Sequence, residues 1–89
     1  MKKEIDIIEY NEKKGIQFEW ERGFVISVGF DSDEIVIRAN SEGLISLAKQ
    51  LLTLAQRNVP FGSHIHLDEY NSLESGSIDL IVEKSDIHG

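Results

Sequence analysis

"NSEGLISLAKQLLTLAQ", residues 40–56, breaks the rhythm of everything before it. Upstream, apolar residues recur at every second position. Here Leu44, Leu47, Ala48, Leu51, Leu54 and Ala55 fall three and four apart, with Ile45 and Leu52 widening the stripe. That change of period predicts one amphipathic helix. Asn40 or Ser41 can cap its start, and Glu42 suits the positive end of its dipole. Pro60 is expected to enforce its end, with Arg57 in the last turn. The leucine stripe is expected to face the core, and the side bearing Lys49, Gln50 and Gln56 to face solvent.

Strands flank this segment. Lys3 to Tyr10 begins as an alternation of Ile5 and Ile7 with Glu4 and Asp6. Ile16, Phe18 and Trp20 alternate with Gln17, Glu19 and Glu21, which predicts a half-buried strand. Phe24, Ile26, Val28 and Phe30 line one face of a third strand, and residues 35–39 form a fourth. Gly15, Gly23 and the Asp31-Ser32-Asp33 run punctuate them as turns. Beyond the helix, His64 to Leu67 and Ile78 to Glu83 read as two more strands, joined through Asn71 to Gly76. The expectation is one α+β domain over residues 1–89, in the order β-β-β-β-α-β-β. A mainly antiparallel sheet would carry the helix on one face.

Bulk composition narrows the function. The chain has 89 residues, no cysteine and a net charge of −7 from nine bases and sixteen acids. Phosphate neutralisation drives nucleic-acid binding, so this balance opposes it, and it opposes an anionic membrane surface equally. A basic protein partner fits it, through steering and complementary potential, although acidity also serves solubility alone. Without cysteine there is no disulfide frame and no thiolate metal site, which favours a reducing, cytoplasmic setting. The N-terminus lacks the uninterrupted apolar run of a signal peptide, and no segment is long and apolar enough to span a bilayer. The charge is uneven. From Pro60 onward six acids face Lys84 as the single base, so that third of the chain carries five of the seven net charges.

In the same third stand His64, His66 and Asp68, each two residues apart. On a strand they project from one face. Two imidazoles and a carboxylate with open coordination positions match zinc or non-haem iron, with Glu69 or Asp79 available behind them. The competing reading is plain: Ile65 and Leu67 point inward, so the three polar residues form the wet side of an ordinary sheet. No nucleophile elbow, P-loop or glycine-rich dinucleotide motif occurs, and nothing in the residues asks for an enzyme. Trp20 continues the Ile16–Phe18 face and is expected in the core. Arg38 is expected to pair with a sheet neighbour.

"NSEGLISLAKQLLTLAQ" followed by "VPFGSHIHLDEYNSLESGSIDLIVEK" resembles immunity protein family 32 of bacterial polymorphic toxin systems. The likeness covers roughly residues 40–84 and rests on the capped leucine-rich helix, the His-x-His-x-Asp-Glu run and the Leu-Glu-x-Gly-Ser approach to the last strand. It implies a non-enzymatic antitoxin that binds and blocks a cognate toxin domain. Charge clustering and loop position then single out Asp68, Glu69, Tyr70 and Glu74 as contacts, with His64 and His66 on the adjoining strand face. Two other functions stay open: a zinc-binding domain or metal-dependent enzyme using His64, His66 and Asp68, and a homodimeric structural or regulatory module joined by a sheet face or edge.

Overall fold

The computed structural model describes residues 2–87. Their regular elements run β1 (Ile26–Asp31), β2 (Glu34–Ala39), α1 (Ser41–Ala55), β3 (His64–Leu67) and β4 (Leu80–Glu83). The class is α+β. β1 pairs antiparallel with β2 from Ile26↔Ala39 to Asp31↔Glu34, and β3 pairs antiparallel with β4 from His64↔Glu83 to Leu67↔Leu80. The two ladders form separate two-stranded sheets. Residues 74–78 bridge them along β1: Glu74 N donates to Ile26 O at 2.8 Å, Ile78 N to Val28 O at 2.9 Å, and Val28 N to Ser77 Oγ at 3.1 Å. Ile26, Val28, Ile65, Leu67 and Leu73 are the buried centre, with Phe18, Trp20, Phe24, Leu47, Ile78, Leu80 and Val82 packed around them.

The four later strands stand within a residue or two of expectation, but the first two are corrected. Residues 3–10 and 16–20 join no ladder, and only the isolated bridge Asn11↔Gly15 marks the turn between them. The reason is where their backbone groups go. Gln56 Oε1 accepts from Tyr10 N at 2.7 Å, and its Nε2 donates to Ile8 O at 3.1 Å. Ser46 Oγ accepts from Glu21 N at 2.8 Å, and Gln50 Nε2 donates to Glu19 O at 2.8 Å. Helix side chains satisfy this extended segment in place of a neighbouring strand. Trp20, expected in the core, is half-buried at its edge, packed against the buried cluster and stacked on Phe24 with ring centroids 4.8 Å apart.

That arrangement also corrects the helix. Its buried residues are Gly43, Ser46, Lys49, Gln50, Thr53 and Leu54. Leu44, Leu51 and Leu52 are exposed, while Leu47 stays half-buried against the core. The polar side turns inward because it carries the donors and acceptors that dock the N-terminal segment. Asn40 is the N-cap: its Oδ1 accepts from Gly43 N at 2.8 Å and also from Val25 N at 2.9 Å, while Nδ2 donates to Gly23 O at 3.0 Å. Gly43 lets the helix sit this close, since a Cβ there would lie 2.4 Å from Val25 O.

The helix stops at Ala55, ahead of Pro60, where Gln56 turns out of the spiral to hold Ile8 and Tyr10. No base occupies its last turn, so Arg57 does not play that part. Lys84, just past β4, serves the chain beyond the helix, its Nζ donating to the C-cap carbonyl Gln56 O at 2.7 Å and to Val59 O at 2.8 Å. No helix among the described residues is long and apolar enough to cross a membrane.

Candidate functional site

β3 presents what its alternation predicts. Ile65 and Leu67 are buried, and His64 and His66 stand outward, opposite Glu83 and Ile81 of β4. A cleft of about 240 Å³ lies beside them, between Phe18 and Trp20 on one wall and β3 with Asn71 and Ser72 on the other. Where β3 ends, residues 68–79 make a connection with no regular structure and a dense set of internal bonds.

Asp68 organises it. Its Oδ1 accepts from Tyr70 N at 2.9 Å and Asn71 N at 3.1 Å, and its carbonyl accepts from Ser72 N at 3.1 Å and Leu73 N at 2.8 Å. Asn71 answers by accepting from Asp68 N at 3.0 Å and donating to His66 O at 2.9 Å. This is an Asx turn reinforced from both sides, the local chemistry for which Asp and Asn are suited. Glu69 Oε2 accepts from Gly76 N at 2.8 Å, and Gly76 supplies a φ of 85°. Leu73, only 4% exposed, pins the middle of the connection into the core. Tyr70 projects from it with 90% of its surface exposed. Glu74 is also exposed.

Of the residues singled out from sequence, His66 and Asp68 come together and His64 does not join them. His66 Nε2 lies 3.9 Å from Asp68 Oδ2 and 2.8 Å from Asp79 Oδ2. One ligand atom each from His66, Asp68 and Asp79 falls within 4.8 Å of the others. His64 stays on the same face, but its Nδ1 lies 3.4 Å from Gly62 O. Asp79 entered the sequence reading as a supporting residue. Its place beside His66 depends on how the long connection returns to β4, which no spacing rule supplies. Asp68 and Glu69 prove to be builders of the loop as well as acids on it.

Other charged pairs lie away from this group. Arg38 meets Asp31 within its own hairpin at 3.4 Å, with both side chains well exposed. Lys49 reaches Glu21 at 3.4 Å and Glu19 at 3.5 Å. Desolvation pulls the Lys49 ammonium down, and the attraction of Glu21 and Glu19 with their hydrogen bonds outweighs it, leaving its pKa above the ordinary 10.5.

Exposed apolar side chains gather on the β1–β2 hairpin, where Phe30 and Ile35 face each other across the ladder, 69% and 63% exposed. On the outward side of β3–β4, Ile81 is exposed among His64, His66 and Glu83.

Against known proteins, neither the curated sequences nor the solved structures give a match. Residues 34–85 match the family described as Immunity protein 32, a span that takes in β2, α1, β3, the acidic connection and β4. With more than half of its length in that match, the chain belongs to the immunity protein 32 family.

Proposed function

We propose that this protein is a non-enzymatic antitoxin that binds a basic toxin domain through the 68–79 connection and the outward face of β3, and so blocks it. One observation carries the reading beyond the family: an acidic loop cross-linked by its own hydrogen bonds holds a single, almost fully exposed tyrosine. An aromatic side chain offered from a pre-ordered backbone loses little conformational freedom on binding, and tyrosine is enriched among residues that dominate interfaces. Acids at positions 68, 69, 74 and 79 surround it in the chain and suit a cationic partner. Asp68 and Glu69 serve mainly to hold Tyr70 in place. Tyr70 and Glu74, with His64 and His66 beside them, are the contacts. An acidic surface of this kind can stand in for phosphate where the toxin is a nuclease, and it speeds encounter at low salt. The setting that fits such a role is the cytoplasm of a toxin-producing bacterium.

The test is titration of the purified protein with the toxin domain encoded beside it, at low and high salt. Tight binding that weakens as salt rises is the expected result. Tyr70→Ala should raise the Kd by about 30-fold, the scale of an interface hot spot, and Glu74→Lys should slow association. Absence of binding would overturn the reading. Binding that survives both changes and is lost in Phe30→Ala would move the interface to the β1–β2 hairpin.

A further inference from the structure

We infer that His66, Asp68 and Asp79 bind a divalent transition-metal ion of the zinc class, a property independent of any toxin. The three residues come from the end of β3, the start of the long connection and the residue before β4, and the fold alone brings them together. Around one tetrahedral ion with bonds of about 2.0–2.1 Å, ligand atoms stand roughly 3.3 Å from one another. The observed separations from His66 Nε2, 2.8 Å to Asp79 and 3.9 Å to Asp68, lie on either side of that value. Rotation of His66 and Asp79, both on the exposed surface, supplies the remaining adjustment.

Orientation is partly built in. Asp68 spends its Oδ1 on the amides of Tyr70 and Asn71, which leaves Oδ2 turned toward His66. Asn71 grips the His66 carbonyl and the Asp68 amide, fixing the two residues relative to each other. These contacts orient Asp68 and hold the His66 backbone, so one carboxylate of the three ligands is set in direction before any ion arrives.

The donor set also selects the ion. Calcium requires six or more oxygens, and magnesium prefers oxygen ligands in octahedral geometry. One imidazole with two carboxylates suits zinc and leaves open positions. On binding, His66 Nε2 carries no proton: the ion takes the place of the hydrogen between His66 and Asp79, and any proton on that nitrogen passes to solvent. The ion would also neutralise two of the four carboxylates of the acidic connection and tie the start of β4 to the end of β3.

The experiment is calorimetric titration of the metal-free protein with zinc chloride, with thermal unfolding read in zinc and after excess EDTA. Saturable one-to-one binding and a rise in Tm that EDTA reverses are expected. His66→Ala and Asp79→Asn should each weaken binding by at least about ten-fold, the lower limit seen even for residues that only support a metal ligand. Asp79→Asn keeps the size and polarity of the side chain, so its loss cannot be laid to misfolding if its zinc-free Tm matches the parent. His64→Ala should leave the zinc affinity unchanged. No saturable binding would overturn the inference. So would equal binding by all variants, or a loss in His64→Ala as large as in His66→Ala, which would place the ion on the His-x-His pair instead.

Discussion

The two hairpins of this protein solve the same problem by opposite means. β1 and β2 are joined by Ser32 and Asp33 alone, and every residue from Ile26 to Asp31 has a partner across the ladder. β3 and β4 share a ladder of four residues on each strand, and residues 68–79 lie between them. In the first hairpin the backbone is satisfied by backbone, so the ladder runs on past the core and leaves Phe30 and Ile35 in solvent. In the second, Asp68, Glu69 and Asn71 side chains take over that work, and Leu73 supplies the anchor. A long connection can therefore hold a defined shape without strands, provided side chains replace the ladder. That is how an acidic, outward-facing segment is held by its own side chains.

The sharpest way to break this contrast is to remove one apolar side chain from each hairpin. Leu73→Ala should cost about 3 kcal/mol, the usual range for a buried leucine whose site collapses only in part. Phe30→Ala, though it deletes a larger group, should cost no more than about 0.5 kcal/mol because that ring is already in water. Denaturant unfolding reads both. Equal losses would mean that the connection is not pinned through Leu73 and that the hairpin tip is more than an overhang.

A smaller effect separates the attachments to α1. Asn40 caps Gly43 N and ties the helix start to the approach to β1 through two further side-chain hydrogen bonds, and Lys84 ties the segment just past the helix, Gln56 and Val59, to the close of β4 through two. Asn40→Ala removes an N-cap and leaves Val25 N without its acceptor, so about 2 kcal/mol is expected. Lys84→Met keeps the length of the side chain but loses both hydrogen bonds, to Gln56 O and Val59 O, and the ammonium that stands 5.6 Å from the centre of the Phe61 ring, so about 1 kcal/mol is expected for this half-buried group. The reverse order would show that the second hairpin, for all its irregularity, is the more firmly held.

What the sequence disclosed follows the same division. Period two was legible in β1 and β3 because each sets alternate residues on the core, whereas β2 was found by its turn and its β-branched residues although Ile35 and Ile37 stand in solvent. Asn40 was legible as one of two cap candidates, with Ser41, since such side-chain chemistry is local. The inward turn of Lys49 and Gln50 was not, and neither was the exposure of Leu44 and Leu51. Amphipathicity locates a face by burial of apolar surface, whereas here the polar face holds an extended segment through hydrogen bonds thirty residues distant in sequence. The same feature misled the reading of residues 3–20, whose alternation is real but whose backbone partners are helix side chains. His66 and Asp68 were visible by spacing. Asp79 was not visible as their close neighbour, because the return path of the 68–79 connection is set by Leu73 and the Asn71 network.

The smallest predicted effect concerns the third attachment, which belongs to neither hairpin. Lys49, Glu19 and Glu21 fasten the N-terminal segment to the middle of α1. Because the folded pKa of Lys49 is raised, folding binds its proton more tightly than the unfolded chain does. The stability this contributes is fully present below the unfolded lysine value of about 10.5 and is lost as pH rises through the folded value above it. Both glutamates are partly in solvent, so the contribution is small and screened by salt. Thermal unfolding of the parent and of Lys49→Met across alkaline pH isolates it from other groups that titrate there. The gap in Tm between the two proteins should change in that window and stay flat from neutral pH up to it. A gap that stays flat throughout would mean that the segment is held by Ser46, Gln50 and Gln56 alone, and that Lys49 is buried there for its stem and not for its charge.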